Sequence, residues 1–281
     1  MSVEVLPETV DTGRAGRNLP AAILVGVLLG AAVVGSLFVR REAFVGVAGL
    51  AVLLGVWEIA KALTTSRIMI PVIPLAVGAL GMLVSAFVAA EEGLLVSFTL
   101  TAFGVMLWRV IDGLNGAVTD VVAGIFTAAY VPFLAGFAVL MLATDNGPQR
   151  VLVFILVTIA SDIGGYVAGV LFGMHPMAPT VSPKKSWEGF AGSVLACTAA
   201  GAFGVMQLLG GPVWVGLVLG LATAVSATTG DLAESLLKRD LGIKDMGRTL
   251  PGHGGIMDRL DSLLVTAPVA YVVLALVLPR L

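Results

Sequence analysis

Val151-Leu-Val-Phe-Ile-Leu-Val-Thr-Ile-Ala-Ser161-Asp162-Ile-Gly-Gly165-Tyr166-Val-Ala-Gly-Val-Leu-Phe172 is a run of 22 residues carrying one charge. A spanning helix needs about 20 predominantly apolar residues, so this stretch reads as a membrane span. Comparable runs recur along the chain, at about 19–38, 44–62, 69–90, 94–111, 119–143, 188–210, 212–230 and 263–279. The expected fold is therefore an all-α integral membrane protein, a polytopic bundle of about nine transmembrane helices. Composition agrees: 58% of residues are hydrophobic, 12% are charged, and the mean hydropathy is +1.03. A soluble domain carries about 25% charged residues, and half that leaves too few to coat a globule of this length.

Other classes are set aside on the same grounds. A net charge of −2 creates no field for nucleic acid. The single cysteine, Cys197, sits in an apolar run and rules out an internal disulfide framework. The polar, acidic start leads into a first apolar run long enough to span, which reads as a signal anchor. The chain divides into a polar tail at 1–18, about five spans over 19–143, and about four spans over 144–281.

With nine spans, Lys and Arg divide twelve to four between the two membrane sides. By the positive-inside rule, the richer side is the cytoplasm. It holds the tail and both large polar loops, which places a polar, cytoplasm-facing cavity in the C-terminal half. The pair Arg40-Arg41 falls on the opposite side.

Asp162 lies inside its apolar run, at a depth where a carboxylate costs at least about 2.5–3.5 kcal/mol. It faces either a polar cavity or a hydrogen-bonding partner on a neighbouring helix. After that span comes Ser182-Pro183-Lys184-Lys185-Ser186-Trp187-Glu188-Gly189, with hydroxyls and two ammonium groups just ahead of a helix. A helix N-terminus adds partial positive charge, so an anionic phosphate is a natural guest. Attraction to anionic lipid at the surface is the simpler reading of Lys184 and Lys185.

The last polar segment runs from Asp231 to Ser262. Asp231, Glu234, Ser235 and Lys238 fall at i, i+3, i+4 and i+7, sharing one face if the eighth span continues as a helix. Asp258, Asp261 and Ser262 repeat that spacing before the ninth span. Two carboxylate faces at adjacent helix ends suit a hard divalent cation, which takes oxygen ligands from one or two carboxylates plus substrate phosphates. Between them, Pro251-Gly252-His253-Gly254-Gly255 is a glycine turn leading into a helix, offering backbone N–H groups to a phosphate. Lys238, Arg239, Lys244 and Arg259 add cationic partners. A solvated juxtamembrane loop is the simpler alternative for Asp240 and Arg248.

Ser235-Leu-Leu-Lys238-Arg239, Lys244-Asp245 and Pro251-Gly-His253-Gly254-Gly255-Ile-Met-Asp258-Arg259-Leu-Asp261 together resemble the signature of the phosphatidate cytidylyltransferases, the CDP-diacylglycerol synthases. Ser161-Asp162-Ile-Gly-Gly-Tyr166 and the Ser182–Gly189 stretch also resemble that family. Gly165 stands where the family pattern has Ala, and Val170 where a basic residue is expected. The motif match covers the C-terminal 125 residues or so.

The resemblance implies transfer of a cytidylyl group from CTP to phosphatidate, giving CDP-diacylglycerol and pyrophosphate. It implies Mg²⁺, with a second cation open, and a homodimer in the plasma membrane of a prokaryote with its active site facing the cytoplasm. Under that reading Asp162, Asp231, Asp258 and Asp261 are the metal-site acids, supported from behind by Glu234 and Glu188. Lys184, Lys185, Lys238, Arg239, His253 and Arg259 handle phosphate, and Ser182, Ser186, Ser235, Lys244, Asp245, Gly254 and Gly255 bind substrate. Two rivals remain. Asp112-Gly113…Gly116…Asp120 imitates part of the CDP-alcohol phosphotransferase pattern, and intramembrane Asp162 suits a transporter.

Overall fold

The computed structural model describes residues 19–250 and 254–278. The polar tail at 1–18 and the Pro251-Gly252-His253 turn lie outside the described residues. The described chain is an all-α membrane protein carrying one short β-hairpin. In order it comprises α1 (Leu19–Val39), α2 (Arg41–Leu63), α3 (Val72–Asp112), α4 (Ala117–Ala128), α5 (Leu134–Leu142), α6 (Gly147–Phe172), β1 (Pro176–Ala178), β2 (Ser182–Ser186), α7 (Trp187–Leu208), α8 (Val213–Asp240) and α9 (Met257–Val277). Six of the described helical stretches are long and apolar enough to cross a bilayer. Large side chains such as Val88, Val110, Ile111 and Leu195 stand mostly exposed on their outer faces. Contiguous apolar surface of this kind marks a lipid-facing exterior.

Local chemistry explains where helices break. α3 contains two non-helical residues, Ala89 (φ −126°, ψ 21°) and Ala90 (φ 51°, ψ −144°). There the chain doubles back: Ser97 Oγ donates to Ser85 Oγ at 2.8 Å, and Gly78 packs on Thr101. The stretches expected as separate spans at 69–90 and 94–111 thus form one tight antiparallel pair. α4 runs into α5 through a π-turn, Ala129–Phe133, which contains Pro132. Proline cannot donate the amide hydrogen bond of a regular helix, and the wider turn absorbs that loss.

The charge pair that opposed the topology has a structural occupation. Arg40, in extended conformation, separates α1 from α2. The Arg41 guanidinium donates to the carbonyls of Thr144 and Asp145, both at 2.9 Å, closing the α5 C-terminus.

In the C-terminal half, α6, α7, α8 and α9 pack through small residues, as helices in lipid do. A Cβ on Gly164 would meet the Gly192 carbonyl at 2.6 Å, and one on Gly230 would meet the Asp261 carbonyl at 2.5 Å. These are backbone-to-backbone approaches that only glycine permits. α9 threads between two hydrophobic cores. Its Met257 and Leu264 join the one built on α2, α3 and the π-turn, while Ala267, Ala270 and Leu274 join the one built on α6, α7 and α8.

Three boundaries differ from the sequence reading. α8 continues ten residues past its expected end at 230, and α9 starts at Met257 instead of 263. Both polar faces are therefore helical. The Ser182–Ser186 stretch pairs antiparallel with Pro176–Ala178. Pro176, Pro179 and Pro183 exclude a helix there.

Candidate active site

A cavity of about 500 Å³ opens among α6, α7, α8, α9 and β2. Five acids line it: Asp162 from α6, Asp231 from α8, Asp245 from the loop after α8, and Asp258 and Asp261 from α9. Four bases face them: Lys184 and Lys185 from β2, Lys238 from α8 and Arg259 from α9. The i, i+3, i+4, i+7 reading of α8 explains Asp231 and Lys238 on one wall. Asp162, Gly165, Tyr166 and Gly169 repeat that spacing along α6.

The charges are locked together in part. Lys185 Nζ lies 2.5 Å from Asp231 Oδ2. Lys238 Nζ bridges Glu234 Oε2 at 2.7 Å and Asp258 Oδ1 at 3.0 Å. Asp258 also accepts the Gly255 N–H at 2.8 Å and the Met246 N–H at 3.3 Å. Asp261 Oδ1 accepts the Ser262 N–H at 2.7 Å. Glu234 is completely buried behind the lining, with one oxygen on Lys238 and its carboxyl against that of Asp261.

Five acids against four bases line the cavity, and Glu234 stands behind them as a sixth acid. That donor set fits a hard divalent cation. Among the described residues no group of three or more His, Cys, Asp or Glu side chains is gathered closely enough to enclose an ion alone. Mg²⁺ commonly takes one or two carboxylates and draws its other ligands from substrate phosphates and water, so a closed protein cage is not required.

The comparisons with known proteins follow the same line. The model of the cytidylyltransferase family matches residues 20–277. The chain belongs to the cytidylyltransferase family. A phosphatidate cytidylyltransferase of Mycobacterium leprae (strain TN) is 41% identical over 284 residues, covering 95% of this chain and 91% of the relative. That of Mycobacterium tuberculosis (strain H37Rv) is 40% identical over 279 residues, covering 95% and 85%. That of Helicobacter pylori (strain 26695) is 41% identical over 143 residues, about half of each chain. The family match thus extends through the N-terminal half, beyond the 125 residues whose motifs are recognisable by eye.

The fold brings Asp162, Lys184, Lys185, Ser186, Asp231, Lys238, Asp245, Asp258, Arg259 and Asp261 to one cavity. Other expected residues stand outside its lining. Arg239 Nε donates to the Val181 carbonyl at 3.4 Å, tying α8 to the hairpin. Ser235 Oγ lies 3.5 Å from Asp231 Oδ1. Glu188 accepts the amides of Met174 and His175 and pairs with His175 Nδ1 at 2.5 Å, holding the base of the hairpin. Ser182 pairs with Ala178 in the hairpin, and Lys244 sits in the loop after α8. Gly254, at φ +81°, makes the turn that pairs Leu250 with it. The Gly255 amide, expected to face a phosphate, is taken by Asp258. His253 lies outside the described residues.

The lining also holds Ser161 and Tyr166, which the motif contains without an assigned role, and Phe190, Ser193 and Thr228, which the sequence did not single out. Helical spacing was the available signal for Tyr166 (from Asp162), Phe190 and Ser193 (from Ser186) and Thr228 (from Asp231). The rival motif is accounted for too. Arg109 pairs with both Asp112 and Asp120, the latter at 3.1 Å, and Asp120 Oδ1 accepts the Met69 N–H at 2.8 Å. Asp120 is buried in a latch among α3, α4 and the loop after α2, while Asp112 caps Arg109 from the exposed side.

Proposed function

We propose that this chain transfers the cytidylyl group of CTP to phosphatidate, yielding CDP-diacylglycerol and pyrophosphate. The observation that carries the reading is the acid- and lysine-lined cavity at the ends of α6, α8 and α9, in a chain of the cytidylyltransferase family. The named relatives, 40–41% identical over nearly the whole chain, supply the substrates.

A phosphate-monoester oxygen of phosphatidate attacks the α-phosphorus of CTP, and the bond from that phosphorus to the bridging oxygen of pyrophosphate breaks. The nucleophile is already an anion, so no strong general base is needed. Repulsion between two anions is the obstacle, and positioning plus electrostatic stabilisation overcome it. Lys185 is held on Asp231, and Lys238 on Glu234 and Asp258, which fixes both ammonium groups for phosphate oxygens. Lys184 has no carboxylate partner among the described residues and is placed to meet the departing pyrophosphate, with Arg259 across the cavity. Arg239 and His253 belong to the same phosphate-handling set. Asp231 and Asp261, with Asp162 and Asp258, would hold Mg²⁺, which neutralises triphosphate charge when bound.

The topology is part of the proposal. Counting the folded-back α3 as two passes and α4–α5 as one gives nine, with the N-terminus and the cavity on the cytoplasmic face of the plasma membrane. The twelve-to-four division of Lys and Arg supports this orientation. A homodimer rests on the family resemblance.

The test is purified protein in detergent with CTP, phosphatidate and Mg²⁺. Pyrophosphate release that requires both substrates is the expected result. Release from CDP-diacylglycerol plus an alcohol, or no release, would overturn the reading.

A further inference from the structure

Glu58 lies near the cavity-side end of α2, in the N-terminal half, and is completely buried. Among the described residues no lysine or arginine pairs with it. Its partners all belong to the segment that leads into α9. Oε1 accepts the Thr249 hydroxyl and the Ile256 N–H at 3.1 Å, and Oε2 accepts the Met257 N–H at 2.8 Å. Gly247 and Gly255 pack directly on the carboxylate, and a Cβ on Gly255 would lie 2.5 Å from Oε2.

A buried carboxylate is expensive unless its oxygens are satisfied. Here two amides, a hydroxyl and the positive end of α9 satisfy it. The need is mutual. α9 has Ile256 at its N-cap, and that side chain cannot accept a hydrogen bond. The helix that carries Asp258, Arg259, Asp261 and Ser262 therefore takes its cap from α2, some 198 residues earlier. Asp258 accepts the neighbouring Gly255 amide, so two carboxylates secure three successive amides.

We propose that Glu58 is a positioning residue of the cytidylyl-transfer site, setting the depth and rotation at which α9 presents Asp258 and Asp261 to the cavity. The inference rests on the proposed function. It also explains why the glycine segment requires glycine at 247 and 255: any side chain there would displace the carboxylate.

The test compares wild type with Glu58→Gln, Glu58→Asp and Thr249→Val, purified in detergent and checked for fold by size exclusion and circular dichroism. Gln is isosteric but turns an NH₂ group toward amide donors, while Asp keeps two acceptors on a shorter arm. For Glu58→Gln, kcat falls roughly 30-fold, since sub-ångström misplacement of reacting groups is that costly. The Mg²⁺ concentration giving half the maximal rate rises roughly tenfold, as when a supporting residue behind a ligand is lost. The KM for phosphatidate stays within about twofold, because the lipid contacts are untouched. Glu58→Asp recovers part of kcat. Without Mg²⁺ or substrate, amide exchange in residues 254–262 speeds up about tenfold.

Folded Glu58→Gln with wild-type kcat, Mg²⁺ dependence and exchange overturns the proposal. So does a loss that merely follows the folded fraction, with Mg²⁺ dependence unchanged. If Glu58→Gln does not fold, Thr249→Val decides: it keeps the carboxylate but removes one donor, and shifts Mg²⁺ dependence about twofold to threefold, whereas no shift overturns the proposal. Wild type that makes no CDP-diacylglycerol refutes the proposed reaction instead, and the exchange measurement still reads the cap.

Discussion

The two halves of the molecule treat buried charge in opposite ways. In α1–α5, charged groups close on partners within the protein: Arg109 on Asp112 and Asp120, Arg41 on two carbonyls, Glu91 on the Tyr271 hydroxyl, and Glu58 on the start of α9. In α6–α9, apart from Arg150 on the Leu274 carbonyl, they face a cavity in which acids exceed bases. Charge in a membrane interior must be compensated by something. Where the protein supplies the compensation, the charge is scaffold. Where it does not, the proposed function has substrate and cation supply it.

Substitutions break or sharpen that contrast. The largest effect belongs to the open set. Asp261→Asn, and separately Asp231→Asn, lowers kcat by about 10³-fold or more while the protein still elutes as a folded species, because electrostatic stabilisation dominates such transfers. Activity within a few-fold of wild type would remove these acids from the metal site. Asp258→Asn also abolishes activity, and because it weakens the Lys238, Gly255 and Met246 contacts its melting temperature falls further than that of Asp231→Asn, which loses the more exposed Lys185 pair. Next is Lys184→Ala, with a loss of about 10²-fold in kcat/KM for CTP, measured by steady-state pyrophosphate release.

The closed set behaves otherwise. Arg109→Met strands Asp120 and costs about 3 kcal/mol of stability, seen as a lower detergent melting temperature, but the folded fraction keeps activity within about threefold of wild type. Loss of activity without loss of stability would show that the latch is no mere scaffold. The smallest effect is at Arg239, whose described contact is one 3.4 Å hydrogen bond to the hairpin. Arg239→Ala lowers activity by about fivefold if the side chain also meets phosphate, and by less than about twofold if it only steadies the hairpin.

Much of the site is legible in the sequence. Apolar runs and helical spacing placed Asp162, Asp231, Lys238, Asp258 and Asp261, because hydrophobic periodicity is local and survives in one dimension. Helix ends were harder. α8 extends to Asp240 and α9 begins at Met257 because polar residues continue a helix beyond the apolar stretch by which a span is recognised. The hairpin at Pro176–Ser186 was read only as a segment preceding a helix, since three prolines exclude helix without specifying strand pairing. Glu58 was invisible. It sits four residues inside the expected end of its span at 62, fully buried, and only tertiary packing joins it to a segment nearly 200 residues away. At the end of the glycine turn the Gly255 amide goes to Asp258, and the Ile256 and Met257 amides that follow go to Glu58.

The central claim is that the open cavity brings CTP and phosphatidate together for direct transfer. CTP labelled at the α-phosphate in one reaction and at the γ-phosphate in another, each incubated with purified protein, Mg²⁺ and phosphatidate, tests it most directly. The account predicts that α-label moves into the lipid phase and γ-label into pyrophosphate, in equal amounts and only with phosphatidate present. Label from the γ-position in the lipid, or pyrophosphate formed without any labelled lipid, would contradict it.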